Sequence, residues 1–395
     1  MFSIMKLPRV LTVHQVPKAF REDSIISGYR HPRSSATDCV LSLFQLTNET
    51  LNVWTHFLPT WYFLWKLMSV LLTENVWYDE YTWPLLVYLF SCCVYPLASS
   101  CAHTFSTMST RARHIFFFFD YGALSLYSLG SAISYSAYVI PDAWVNSTFH
   151  TCYIPIAVFN SILSTSLACY SRFSERGSWK WSKVFRVLAF TYPYLFDNIP
   201  LLYRLVLCVG EGCTDNEANS VHVQHTLLAF LTGFLFATHL PERLAPGRFD
   251  YIGHSHQLFH VCGVFGTLFQ MKAIETDMVL RRSQLLISAP DITISNTVGV
   301  ALASEISRDV CFPATQDPFG SGSCAHTGGT PEAEIQGETS TPSATFKREG
   351  TLTGRPQGEQ HRARTFTATA LIGRYGTAPA SSPKPDLFQG LAPTN

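Results

Sequence analysis

The sequence predicts an all-α, polytopic membrane protein: a seven-transmembrane helix bundle with a cytosolic N-terminus and a disordered C-terminal tail. Three observations lead there. Of 395 residues, 47% are hydrophobic and only 14% are charged, against roughly 25% charged in ordinary soluble domains. The few charges are sparse before residue 275 and ordinary after it, which separates a membrane domain from a soluble tail. Seven apolar stretches also approach the roughly 20 residues that cross a bilayer. The expected organisation is an N-terminal segment over 1–50, the membrane domain over 51–275 and a polar tail over 276–395.

The seven stretches are Leu51–Leu72, Trp83–His103, Ile115–Ile140, Cys152–Cys169, Val184–Leu207, Val221–His239 and His256–Ile274. The fourth and seventh are among the shortest. Aromatic residues gather near several ends, as interfacial belts do: Trp77, Tyr78, Tyr81 and Trp83, then Trp179 and Trp181. In the fifth, Pro193 and Pro200 flank Asp197 and predict a kinked helix whose aspartate faces the bundle interior. No internal repeat is present. From Ser307 onward, Gly, Ser, Thr and Pro without apolar periodicity predict disorder.

Lysine and arginine alternate with acids from loop to loop. Lys6, Arg9, Lys18, Arg21, Arg30 and Arg33 precede the first stretch; Arg111 and Arg113, then Arg172, Arg176, Lys180 and Lys183, then Arg243 and Arg248 follow the second, fourth and sixth. The other loops hold Glu74, Asp79 and Glu80, then Asp142, then Glu211, Asp215 and Glu217. By the positive-inside rule the N-terminus is cytosolic, and seven crossings put the C-terminus outside. Asn146-Ser147-Thr148 then becomes an accessible glycosylation sequon at Asn146, while Asn48-Glu49-Thr50 stays cytosolic and silent. No apolar core follows the first basic residues, so insertion is expected to be driven by the first internal span rather than a signal peptide.

Equal numbers of basic and acidic residues, 28 of each, give no reason to expect nucleic acid as a partner. Most of the eleven cysteines lie in apolar runs and read as small apolar side chains, and no C-x-x-C pair suggests a zinc finger. Cys208 and Cys213 flank a short loop and can pair if that loop is extracellular.

Polar residues inside a membrane are costly, so each invites a functional reading. His256 and His260 lie four apart and share a helical face, and Ser99 and His103 repeat that spacing. The second span runs inward and ends at His103; the third and seventh run outward and begin near Asp120 and His256. All four groups therefore fall in one layer near the cytosol. Three imidazoles with one open position form a catalytic zinc shell, beside which Asp120 orients a water or takes its proton. Hydrogen bonding between helices accounts for the same residues. Glu49, Asn52 and His56 recur on one side of the first helix, and Asp250 and His254 precede the seventh. These either line the layer or pair with basic loop residues, and the second role is expected of Glu49. Asp197 either meets a polar group of a ligand or bonds to a neighbouring helix, and His56 is the other candidate for a ligand pocket.

Three motifs carry a resemblance: Glu49-Thr-Leu-Asn52-Val-Trp-Thr-His56, Ser99-x-x-x-His103 with Asp120, and the long run from Pro241 through Asp250, His254 and His256 to His260. Over residues 1–275 the chain resembles the progestin and adipoQ receptor family. The resemblance implies a seven-helix receptor inverted relative to G-protein-coupled receptors. It implies Zn2+ on His103, His256 and His260, supported by Ser99 and Asp120. One branch of that family is associated with steroid (progestin) binding and rapid non-nuclear signalling at the plasma membrane, through a G protein or another signalling partner whose contacts these residues do not reveal. Another branch looks like ceramidases, zinc-dependent hydrolases of sphingolipid amides in which Asp120 would act as base. The chain departs from the family after Lys272, where an apolar continuation gives way to the polar tail.

Overall fold

The computed structural model describes residues 9–73, 76, 78–174, 179–210 and 212–288. Within them the fold is all-helical, with seven long helices over the seven apolar stretches: α1 Thr50–Thr73, α2 Trp83–Phe105, α3 Thr110–Ser134, α4 Thr148–Ser174, α5 Trp179–Asp197, α6 Ala218–Thr238 and α7 Ser255–Ser288. Three segments are both long and apolar enough to cross a membrane: Glu80–Phe105, Thr148–Arg172 and Ala218–Thr238.

Local chemistry sets the helix ends. The Ser109 hydroxyl accepts the Ala112 amide at 3.0 Å and starts α3, satisfying one of the donors a helix start leaves free. Pro84 occupies the first turn of α2, where its missing N–H costs nothing. The fourth stretch, short by apolarity, forms a helix of 27 residues because Thr148–Thr151 extend its start and 170–174 its end. Between Pro193 and Pro200 the helix is interrupted: α5 ends at Asp197, and a short helix Ile199–Leu202 resumes after Asn198. Successive helices from α1 to α5 lie side by side, and α7 packs against α6, α1 and α2.

The longest helix is α7, at 34 residues. That is about 50 Å of rod against roughly 30 Å of hydrocarbon. It runs past residue 275, where the fall in apolarity marks a boundary in the sequence, because its later polar side chains are satisfied within the fold. Asp277 is fully buried. It accepts from Arg204 at 2.8 and 3.0 Å, from Asn216 Nδ2 at 2.8 Å and lies 3.0 Å from His222 Nε2. One turn on, Arg281 donates to the carbonyls of Tyr138 and Ile140 and to Asp142. Arg282 grips both oxygens of Asp79 at 2.8 and 2.9 Å, and this bidentate bond holds the Asp79 carboxyl below its usual range. The last turns of α7 thus fasten the three loops at this end of the bundle. Cys208 and Cys213 form a disulfide at the same end. Asn146, also there, is exposed, with its Nδ2 donating to the Ser288 carbonyl at 2.8 Å. The rest of the expected tail, from residue 289, lies outside the described residues, as do Glu74, Trp77 and Glu211.

Removing one partner of a buried ion pair strands the other charge. Asp277→Ala should therefore lower stability by roughly 3 kcal/mol or more, read as a fall in the melting temperature of detergent-purified protein. Arg282→Ala, which breaks a half-exposed pair, should cost less than about 1 kcal/mol.

Candidate functional site

The site lies at the opposite end of α7, where α1, α2 and α7 converge. His103 ends α2, and His256 and His260 occupy the first two turns of α7, so the four-residue spacing turns both toward α2. One ring nitrogen from each of the three histidines lies within 4.8 Å of the others. His103 and His260 are buried; His256 is partly so.

The neighbours of these rings decide which nitrogen is left free. His103 Nδ1 lies 2.7 Å from Glu49 Oε2. A carboxylate only accepts, so Nδ1 carries the proton and Nε2 keeps its lone pair. His260 Nδ1 lies 3.0 Å from the Asn52 carbonyl, and the same reasoning leaves its Nε2 free. Glu49 is itself held by Asn52 Nδ2 at 2.8 Å. The partner of Glu49 is thus a histidine of the layer, not the basic loop residue expected from sequence: the turn at Thr47–Thr50 starts α1 beside the end of α2 and points Glu49 inward. His256 Nε2 and His103 Nε2 are 3.1 Å apart. Two nitrogens each about 2.0–2.1 Å from one tetrahedral ion would lie about 3.3 Å apart. The tautomers of His103 and His260 and the spacing of His103 and His256 fit a divalent ion held by three imidazoles, with a carboxylate behind His103 and a carbonyl behind His260.

The remaining expected residues sit around this layer. Ser99 is buried one turn before His103, and Asp120 is buried on α3 within electrostatic reach of His103 and Arg172. Among the described residues neither hydrogen-bonds to the triad. His56 stacks on His260 with ring centroids 3.7 Å apart and meets Tyr95 edge-on; its Nδ1 is buried without a hydrogen-bond partner. His254 Nε2 lies 3.2 Å from the Asn48 carbonyl. Asp250 accepts the amides of Ile26 and Ser27 at 3.0 and 2.7 Å and the Ser27 hydroxyl at 2.6 Å, tying the N-terminal segment beneath α7. Asp197 lies away from the triad, on α5: its Oδ2 accepts from Ser128 of α3, so the bond to a neighbouring helix forms.

Two contributors were not legible from sequence. Arg30, counted there only as a topological charge, is buried and reaches the end of α2. It donates to the carbonyls of His103 and Thr104 and to the hydroxyls of Ser42 and Ser106, satisfying acceptors that a helix end leaves free. Glu242 accepts the Ser255 amide at 2.7 Å and the Ser255 hydroxyl, and so sets the start of α7. No periodicity links either residue to its partners. Gly28 also supports the layer: its φ of +88° belongs to glycine, and a Cβ there would come within 2.9 Å of the Asn48 amide.

A lysine at position 30 cannot serve four acceptors from one planar fork. Arg30→Lys should cost about 1–3 kcal/mol and loosen the end of α2, measured as lower thermal stability with faster amide exchange at Thr104–Thr107.

Comparison with known proteins places the chain in a family. The Haemolysin-III related family matches residues 44–271, from the turn before α1 into α7. Membrane progestin receptor gamma-B of Danio rerio is 78% identical over 317 residues, covering 76% of this chain and 91% of that protein. Membrane progestin receptor delta of Homo sapiens is 56% identical over 316 residues, covering 79% and 92%. Membrane progestin receptor gamma of Homo sapiens is 56% identical over 298 residues, covering 75% and 90%. With the apolar helices of the bundle, these relatives make the chain a multi-pass membrane protein. It belongs to the Haemolysin-III related family, the progestin and adipoQ receptors that its motifs resemble.

Proposed function

We propose that this chain is a plasma-membrane steroid receptor that responds to progestins by rapid, non-nuclear signalling. The observation that carries the reading is its 78% identity to a membrane progestin receptor over 91% of that receptor's length. In this reading all seven helices cross the membrane, the N-terminus is cytosolic and the triad lies in the inner leaflet. The basic loops support that orientation. So does the Cys208–Cys213 disulfide at the end away from the triad, since disulfides persist where the surroundings are oxidising.

His103, His256 and His260 would hold Zn2+, which supplies a fixed positive charge and a Lewis acid when bound. The chain's own residues do the rest. Glu49 and Asn52 set the ring tautomers, and Arg30 and Glu242 fix the helix ends from which the rings project. Apolar side chains among the helices would take the ligand's ring system, and a few polar groups its orientation. A zinc-dependent hydrolase of ceramide-like amides would use the same triad with Asp120 as base, but no observation raises it above the receptor.

Saturation binding of labelled progesterone to membranes expressing the full chain, with surface delivery checked in parallel, tests the receptor. Saturable, competable binding is expected. Its absence with the protein at the surface would reject the reading. Metal analysis of purified protein should find about one zinc per chain, lost in His103→Ala. Glu49→Gln leaves an acceptor but no charge behind His103, and should weaken zinc retention against a chelator by about 10–100-fold.

A further inference from the structure

Buried polar atoms that a fold leaves unpaired call for an explanation, and a missing partner is one. Three of them lie close together where α5 is interrupted. Asp197 Oδ1, Asn198 Oδ1 and the Tyr194 hydroxyl are all buried without hydrogen-bond partners, within little more than one helical turn. Asp197 is the most demanding of the three. It is 3% exposed, and among the described residues no cation pairs with it. An acid in apolar surroundings is costly unless its oxygens find donors or acceptors.

The rest of the neighbourhood holds this carboxyl in place and leaves one oxygen over. Ser128 of α3 bonds Oδ2 and fixes the rotamer. Tyr153 of α4 donates to the Asp197 carbonyl at 2.5 Å and fixes the backbone where the helix stops. Around them Leu129, Ile133, Tyr153 and Phe196 form an apolar cluster. Tyr194, one turn before Asp197, meets Phe230 of α6 edge-on, with ring centroids 6.2 Å apart. Apolar side chains beside a few fixed polar groups are the ingredients with which a small-molecule site orients its ligand.

We propose that Asp197 Oδ1 and the Tyr194 hydroxyl form a polar anchor for one end of an apolar, steroid-sized ligand, set among α3, α4, α5 and α6 and separate from the histidine layer. The inference rests on the receptor reading and deepens it by naming the residues that orient the ligand. Ser128 is a positioning residue, acting through Asp197.

The test is progesterone saturation binding to membranes bearing the full chain and three variants, with surface amount and zinc content measured for each. Asp197→Leu removes the polar atoms at similar size, and Tyr194→Phe deletes a single oxygen. Each should weaken binding by about tenfold, while zinc content stays at the parent's level. Asp197→Asn keeps a hydrogen-bonding group and should stay within a few-fold of the parent. If Asp197→Leu fails to reach the surface, Tyr194→Phe decides. Parent-like affinity in Asp197→Leu, or in Tyr194→Phe where it decides, would overturn the anchor while leaving the receptor reading intact. Absence of saturable binding to the parent chain would remove the receptor reading and the anchor with it.

Discussion

Every polar group placed inside an apolar bundle must find its partner within the protein, and here that requirement falls mainly on one helix. At its start α7 presents His256 and His260 to His103. At its far end Asp277, Arg281 and Arg282 meet side chains and carbonyls of three loops. Between these ends, Thr267 and Gln270 of α7 bond to Tyr95, Tyr88, Tyr127 and Tyr135. A single rod thereby sets the relative height of the other helices, because each partner can be satisfied at only one register.

The inner layer depends on that register most closely. A rise of 1.5 Å per residue means that a slip of one position along α7 would carry both histidines away from His103 and rotate them by about 100°. Glu242 at the start of the helix and Asp250 beneath it prevent such a slip from one side, and the buried arginines prevent it from the other. Rigidity at the two ends leaves the interrupted α5 as the place where the regular backbone gives way. Unmatched polar atoms of Tyr194, Asp197 and Asn198 lie there.

Much of this was legible in the sequence because it depends on local pattern. Apolar length placed all seven helices, and the spacing of His256 and His260 gave a shared face. Paired prolines around Asp197 announced the break in α5. What could not be read were pairings between residues far apart in the chain. Nothing near Asp277 points to Arg204 or His222. A fall in apolarity after Lys272 looks like the end of a membrane domain, although Asp277 and Arg281 beyond it are buried and paired. Of its two expected roles Glu49 takes the less favoured one, because the turn that starts α1 delivers it to an imidazole and not to a basic loop residue. Arg30 carried no signal beyond its charge.

The overhang of α7 has a consequence for how chains of this kind can end. Residues 275–288 belong to the fold as fully as the histidine pair does, since three loops are fastened to them. Sequence that diverges after Ser288, whether by splicing or by fusion of a reporter, leaves those fastenings in place. Divergence a few turns earlier, after Ile274, would instead release Arg204 and His222 from the acid they share and expose the carbonyls that Arg281 covers. The boundary that matters for a viable variant is therefore set by the last buried arginine and not by the last apolar run.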